Sequence, residues 1–268
     1  MKLIHLSDLH VGQSVYGEKF DRIIQHLNAA PEFDDQKHVV IITGDLINDA
    51  DDEHAHDQVR AMIDALSPRF AKRVFLCPGN HDYGDFWGGH HKFIARFRQV
   101  FDDYLQGSGD IDPEDYLPED MPYESPFPVV DIIGDLVLIG LDSTADELKD
   151  GYSLGAEGRM GKRQLKALDK LLGLPQLSGK RIVIYFHHHP YSSVHYLNRF
   201  KDADDFLDIV RNRAHLLLFG HNHRYAVCSS DSQADGIVMA LEGGKSTREM
   251  GFRIIDLENF CFTEHVVP

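Results

Sequence analysis

Cysteine is scarce in this chain of 268 residues: Cys77, Cys228 and Cys261 are an odd, scattered set with no C-x-x-C spacing. That argues against a disulfide framework and for a reducing compartment. Basic residues are also short, 27 against 43 acidic, for a formal charge of -16. Non-specific affinity for DNA comes from Lys and Arg on phosphates, so nucleic acid is disfavoured as a partner, with room left for a local basic pocket. Long apolar runs are missing too. None approaches the ~20 residues that a membrane span needs, and Met1-Lys2-Leu3-Ile4-His5-Leu6 meets polar residues too soon for a secretory leader. The expectation is a cytoplasmic protein with no membrane segment. With no internal repeat or low-complexity linker, residues 1–268 read as one domain, and the 43% of hydrophobic residues can build a sizeable core.

What the chain does have is polar residues at the ends of short apolar strands. Leu3–Leu6 is followed by Ser7-Asp8-Leu9-His10, where Asp-x-His spacing lets a carboxylate and an imidazole leave one turn toward the same point. Val39–Ile42 ends in Thr43-Gly44-Asp45, with Gly44 allowing a sharp turn. Val74–Leu76 ends in Cys77-Pro78-Gly79-Asn80-His81-Asp82. There Asn80 offers a neutral oxygen, His81 a proton donor, and Asp82 an acceptor for the other N–H of that imidazole. Arg181–Phe186 ends in His187-His188-His189-Pro190, and Leu216–Phe219 in Gly220-His221-Asn222-His223. Strands alternating with helices, such as Glu18–Asn28 with its stripe of Phe20, Ile23, Ile24 and Leu27, imply a mostly parallel sheet. Such a sheet gathers its strand ends on one edge.

The remaining stretches carry weaker signals. His54 and His56, after the acidic run Asp49–Glu53, read as surface residues at a helix start. Residues 83–128 hold a helix with Phe93, Ile94 and Phe97 and a long acidic, Pro-rich loop. They are expected to form a lid or rim insertion, with His90 and His91 at a helix start. Val129–Ile133 and Leu136–Leu141 read as a hairpin, and Leu165, Leu168, Leu171 and Leu172 as a core-facing helical stripe. Ile237–Leu241, Phe252–Leu257 and Phe260–Val267 are expected as antiparallel strands closing a second sheet.

Asp8, His10, Asp45, Asn80, one of His187 or His188, His221 and His223 make about seven candidate ligands, too many for one ion. Two metals are implied, and mixed N and O donors without thiolate suit Mn, Fe or Zn. The order of these motifs resembles the calcineurin-like metallophosphoesterase superfamily across residues 3–223. The resemblance implies an α/β fold, a four-layer α/β/β/α sandwich of two mixed sheets. It implies that Asp8, His10, Asp45 and His223 hold one divalent metal and that Asp45, Asn80, His187 and His221 hold the other, Asp45 bridging. His81 would act on the substrate side with Asp82 orienting it, and a metal-bridging hydroxide would be the nucleophile. Gapless alignment favours His187 as the ligand, whereas alignment on a His-x-Pro core would select His188.

Within the superfamily the chain looks most similar to the bacterial class III cyclic nucleotide phosphodiesterase and glycerophosphodiesterase branch. The expected substrate is therefore a small phosphodiester. Other readings are a repair-type nuclease, against which the -16 charge stands, a phosphomonoesterase or pyrophosphatase, and a non-catalytic scaffold. The oligomeric state is left open, a homodimer included.

Overall fold

Alternation along the central strands sets the layering. The structure is a computed structural model that describes residues 1–34, 36–70, 73–84, 91–119, 126–148, 156–191 and 198–268. Its strands are β1 (Lys2–Leu6), β2 (His38–Thr43), β3 (Val74–Cys77), β4 (Val129–Ile133), β5 (Leu136–Gly140), β6 (Arg181–Tyr185), β7 (Leu216–Phe219), β8 (Ala226–Val227), β9 (Met239–Glu242), β10 (Gly251–Asp256) and β11 (Cys261–Val266). They form two mixed sheets, ordered β11-β10-β1-β2-β3 and β4-β5-β6-β7-β9-β8. In the second sheet Leu136, Leu138, Val183, Tyr185, Leu216 and Leu218 share a core with the first sheet. Their neighbours Val137, Ile139, Ile182, Ile184, Leu217 and Phe219 point the other way, beneath helices. A period of two buried on both faces makes a middle layer.

Helices cover the two outer faces. Phe20, Ile23, Ile24 and Leu27 of the Tyr16–Ala29 helix, with Val59, Ile63 and Leu66 of Glu53–Leu66, pack on the first sheet. Leu165, Leu168 and Leu171 of Lys162–Leu172, with Phe206, Leu207 and Val210 of Ala203–Val210, pack on the second. The result is the α/β/β/α sandwich of the metallo-dependent phosphatase fold. β1, β2 and β3 run parallel, as do β5, β6, β7 and β9, so each sheet collects its carboxyl ends on one edge.

Several expectations are refined. β4 and β5 form the expected antiparallel hairpin. The C-terminal strands do not close the second sheet together: β9 joins it in parallel beside β7, whereas β10 returns to pair antiparallel with β1 and carries β11. Hydrophobic pattern alone does not choose between two sheets that both lack an edge partner. His54 is exposed as expected, but His56 is buried and packs under its helix, with Nδ1 3.0 Å from the Asp52 carbonyl. Asp52 itself caps that helix, accepting the Ala55 N–H at 3.0 Å.

Part of the expected rim insertion lies along the edge of β4. The Ser108 N–H donates to the Val130 carbonyl at 3.0 Å, the Ile132 N–H donates to Ser108 Oγ at 3.2 Å, and Ile111 and Tyr116 are buried in the second core. Residues 85–90, with His90, and 120–125 lie outside the described residues.

Candidate metal centre

The carboxyl edges of the two sheets meet, and the polar strand ends meet with them. Among the described residues nine non-glycine residues have positive φ, and five are Asp8 (53°), His10 (48°), Asp45 (51°), His221 (81°) and His223 (58°). Such backbone is costly for residues with a Cβ and clusters where side-chain direction matters. Left-handed turns here swing each side chain out of its strand into the seam between the sheets. Two glycines allow the close approach. A Cβ on Gly44, at φ +78°, would lie 2.6 Å from His187 Nδ1. One on Gly220 would fall 2.0 Å from Ser7 Oγ and 2.5 Å from Asp8 Oδ2.

One group of ligand atoms comes from Asp8, His10, Asp45 and His223, all within 4.8 Å of one another. His10 Nε2 and His223 Nε2 are 3.1 Å apart, and His223 Nε2 is 3.4 Å from Asp8 Oδ1. A second group is contiguous with it. His187 Nε2 lies 3.2 Å from Asn80 Oδ1, and His221 Nδ1 lies 3.1 Å from the same oxygen and 3.3 Å from His187 Nε2. Asp45 Oδ2 joins the two, 3.5 Å from His10 Nε2 and 3.3 Å from His187 Nε2. Imidazole nitrogens and an amide oxygen thus point their lone pairs at one another in a buried seam with two carboxylates. That arrangement is costly without a proton or cation among them, and hard or borderline divalent ions fit the donor set.

The two candidate histidines are held differently. The His187 Nδ1–H donates to the Thr43 carbonyl at 2.8 Å, which fixes the tautomer and aims Nε2 into the seam. His188 instead places Nδ1 2.8 Å from Ser143 Oγ, with its ring 4.5 Å from that of His221. The expected partnership of Asp82 with His81 is not what the structure shows. Asp82 is fully buried and accepts from the N–H groups of Gly79 (2.8 Å) and Ile47 (3.1 Å). The His81 Nδ1–H is held by the Asn48 carbonyl at 2.7 Å, and its backbone N–H donates to Asp45 Oδ1 at 2.9 Å. Asp82 therefore ties two turns together, because a side chain three residues past Gly79 closes back on its own turn before it can reach a neighbouring ring.

Burial and charge shape the protonation states of the metal-free cluster. Burial pulls His10 and His221 down to about 3, so both are neutral donors. It pulls on His187 as well, but Asp45 outweighs it and raises that imidazole to about 9. Burial works against ionised Asp45, yet His187 and His81 hold its carboxyl well below the usual range. Burial, reinforced by Asp45, pushes Asp82 up to about 8.

Sequence reasoning gave no role to two neighbours of the cluster. Ser7 Oγ donates to Asp8 Oδ2 at 2.5 Å. Glu242, at the end of β9, accepts the Asn222 N–H at 3.1 Å and so braces the turn between His221 and His223. Burial and Asp8 raise its carboxyl to about 8. Glu242-Gly243-Gly244 after Met239-Ala240-Leu241 repeats the apolar-strand, polar-residue, glycine pattern of the other motifs, a signal that could have found it.

The calcineurin-like phosphoesterase family model matches residues 1–225. Among solved structures, a dimetal phosphatase from Danio rerio is similar with TM-score 0.62 at 14% identity, covering 95% of this chain and 91% of that one. The protein TT1561 of Thermus thermophilus is similar with TM-score 0.57 at 12% identity, covering 100% and 99%. GAP50, the anchor in the inner membrane complex of Plasmodium, is similar with TM-score 0.52 at 14% identity, covering 98% and 83%. At such identities these three show the fold alone. No curated protein matches the chain. The family match spans most of the chain and includes every strand end that supplies the cluster, so the chain belongs to the calcineurin-like phosphoesterase family, whose members are dimetal-dependent.

Proposed function

We propose that the protein hydrolyses small phosphodiesters of the cyclic nucleotide or glycerophosphodiester type, with two divalent ions of the Mn, Fe or Zn kind. The observation that carries this reading is the place of Asp45, one of whose oxygens faces His10 and His187 at once. Asp8, His10, Asp45 and His223 would hold one ion, and Asp45, Asn80, His187 and His221 the other. Such ions supply Lewis acidity toward a phosphoryl oxygen and toward water.

The protein's own residues set the geometry around that chemistry. The His81 N–H fixes one Asp45 oxygen and leaves the other for the seam. With Nδ1–H engaged by Asn48, His81 presents Nε2 as its free nitrogen, beside His10 at 4.7 Å between ring centroids. Protonated there, it donates to a phosphoryl oxygen or to the departing alcohol. Hydrolysis adds one water, breaks one P–O ester bond and leaves a monoester and an alcohol. The acidic balance supports a small substrate over nucleic acid, and three free cysteines fit a reducing, cytoplasmic setting. Among the described residues no helix is long and apolar enough to cross a membrane. The full ligand set with His81 favours catalysis over a scaffold role.

The test is a substrate panel on metal-stripped protein resupplied with Mn²⁺: bis(p-nitrophenyl) phosphate, cyclic nucleotides, glycerophosphodiesters, linear DNA and a phosphomonoester. Metal-dependent cleavage of small diesters and not of DNA is expected. Cleavage of DNA alone, or of the monoester alone, would overturn the reading.

A further inference from the structure

Beside the cluster sits a buried cation whose direct contacts are neutral, while the Asp8 and Asp45 carboxylates of the cluster attract it from farther off. Lys245 is 6% exposed, its Nζ donating to Gln13 Oε1 at 3.0 Å and standing 4.5 Å above the centre of the Tyr16 ring. Among the described residues no ion pair to a carboxylate satisfies it. The segment that carries it is fastened to the metal-binding turns. Ser246 N–H donates to the Ser7 carbonyl (3.0 Å), Ser246 Oγ accepts the Ser7 N–H (3.1 Å), and Thr247 Oγ1 donates to the Leu9 carbonyl (2.8 Å). Arg248 Nη2 donates to the His223 carbonyl at 3.0 Å. Lys19 Nζ lies 5.7 Å from the centre of the same ring. Gln13 in turn hangs from His10, its N–H donating to that carbonyl at 3.1 Å.

A protein with charge -16 thus fixes a cation at the rim of its candidate metal centre. A buried ammonium with no carboxylate in contact is costly; with Asp8 and Asp45 engaged by divalent ions it would lose their attraction, and its charge would oppose the ions' binding. An anion arriving with the substrate would offset both. We propose that Lys245 is a specificity-determining residue that binds a second anionic group, a carboxylate or a phosphate, carried on the substrate arm next to the scissile phosphate. This rests on the phosphoesterase reading above and narrows its substrate class to esters bearing that extra charge.

The test compares three p-nitrophenyl phosphodiesters whose second arm is ethyl, 2-carboxyethyl or 2-phosphonoethyl, with Mn²⁺-loaded protein. The wild type should prefer one or both anionic arms over ethyl in kcat/KM. Lys245→Met should reduce that ratio about tenfold or more, the scale of a lost hydrogen bond to a charged group, and Lys245→Arg should restore much of it. A ratio is independent of how much enzyme is folded, and Lys245→Gln provides a second neutral variant. Calorimetric titration with Mn²⁺ in anion-free buffer gives the second readout: Lys245→Met should bind Mn²⁺ more tightly than wild type. The relative rates of the carboxylate and phosphonate arms identify the group recognised. Equal rates on all three esters in the wild type, a ratio unchanged in both neutral variants, or unaltered Mn²⁺ affinity would overturn the proposal. No turnover of any of the three would instead overturn the phosphoesterase reading itself.

Discussion

Asp45 shows how much one side chain is asked to do. Its Oδ1 is fixed by a backbone N–H and its Oδ2 faces both halves of the cluster. His81 touches no other predicted ligand through its ring nitrogens, so its loss should separate chemistry from metal binding. His81→Gln should lower kcat about 10²-fold with metal content retained, measured by turnover and metal analysis on the same sample. Asp131, on β4 and remote from this site, gives a pH prediction. Burial, reinforced by Asp110, raises its carboxyl from 3.8 to about 6. The folded state then holds a proton that the unfolded state has already released. Stability is therefore lost as pH rises from about 4 to about 6, and the carboxylate costs stability above that. Asp131→Asn should flatten the fall of Tm across this window and stabilise the protein at pH 7 by about 1 kcal/mol after solvent screening. A mutant with the same Tm profile as wild type would contradict this.

At the scale of elements, the motifs were legible because each follows directly on an apolar run. Asp8, Asp45, Asn80, His187 and His221 all stand within three residues of a strand end. What sequence could not show is which turns face each other. Thr43 holds His187, and Lys245 meets Gln13, across separations of 144 and 232 residues. The return of β10 to β1 escaped for the same reason, since apolar alternation marks a strand but not its neighbour. His56 escaped because a helix start rich in acids looks solvated even where one histidine turns inward. Gly220→Ala should disrupt metal binding, because the added methyl would overlap Ser7 Oγ and press on Asp8, and a calorimetric Mn²⁺ titration checks it. Leu168→Ala, in the fully buried stripe of the Lys162–Leu172 helix, should destabilise by about 2–5 kcal/mol with the metal site unchanged, measured by denaturant unfolding.

At the scale of the molecule, the two sheets are held apart by their shared core and brought together at one edge by the ligands. An ion bound there would contact both sheets and the folded state alone. Stripping metal should therefore lower Tm, and saturating Mn²⁺ should restore it by an amount that grows with its concentration, about 2.7 kcal/mol per site at one hundred times Kd. The most direct test of the account is metal stoichiometry with turnover in wild type and Asn80→Ala. The wild type should hold two ions per chain, as its family requires, and hydrolyse bis(p-nitrophenyl) phosphate. Asn80→Ala, which removes a ligand from the second group only, should lose metal from that group and nearly all activity. An Asn80→Ala protein with full metal and full activity would contradict the two-metal account.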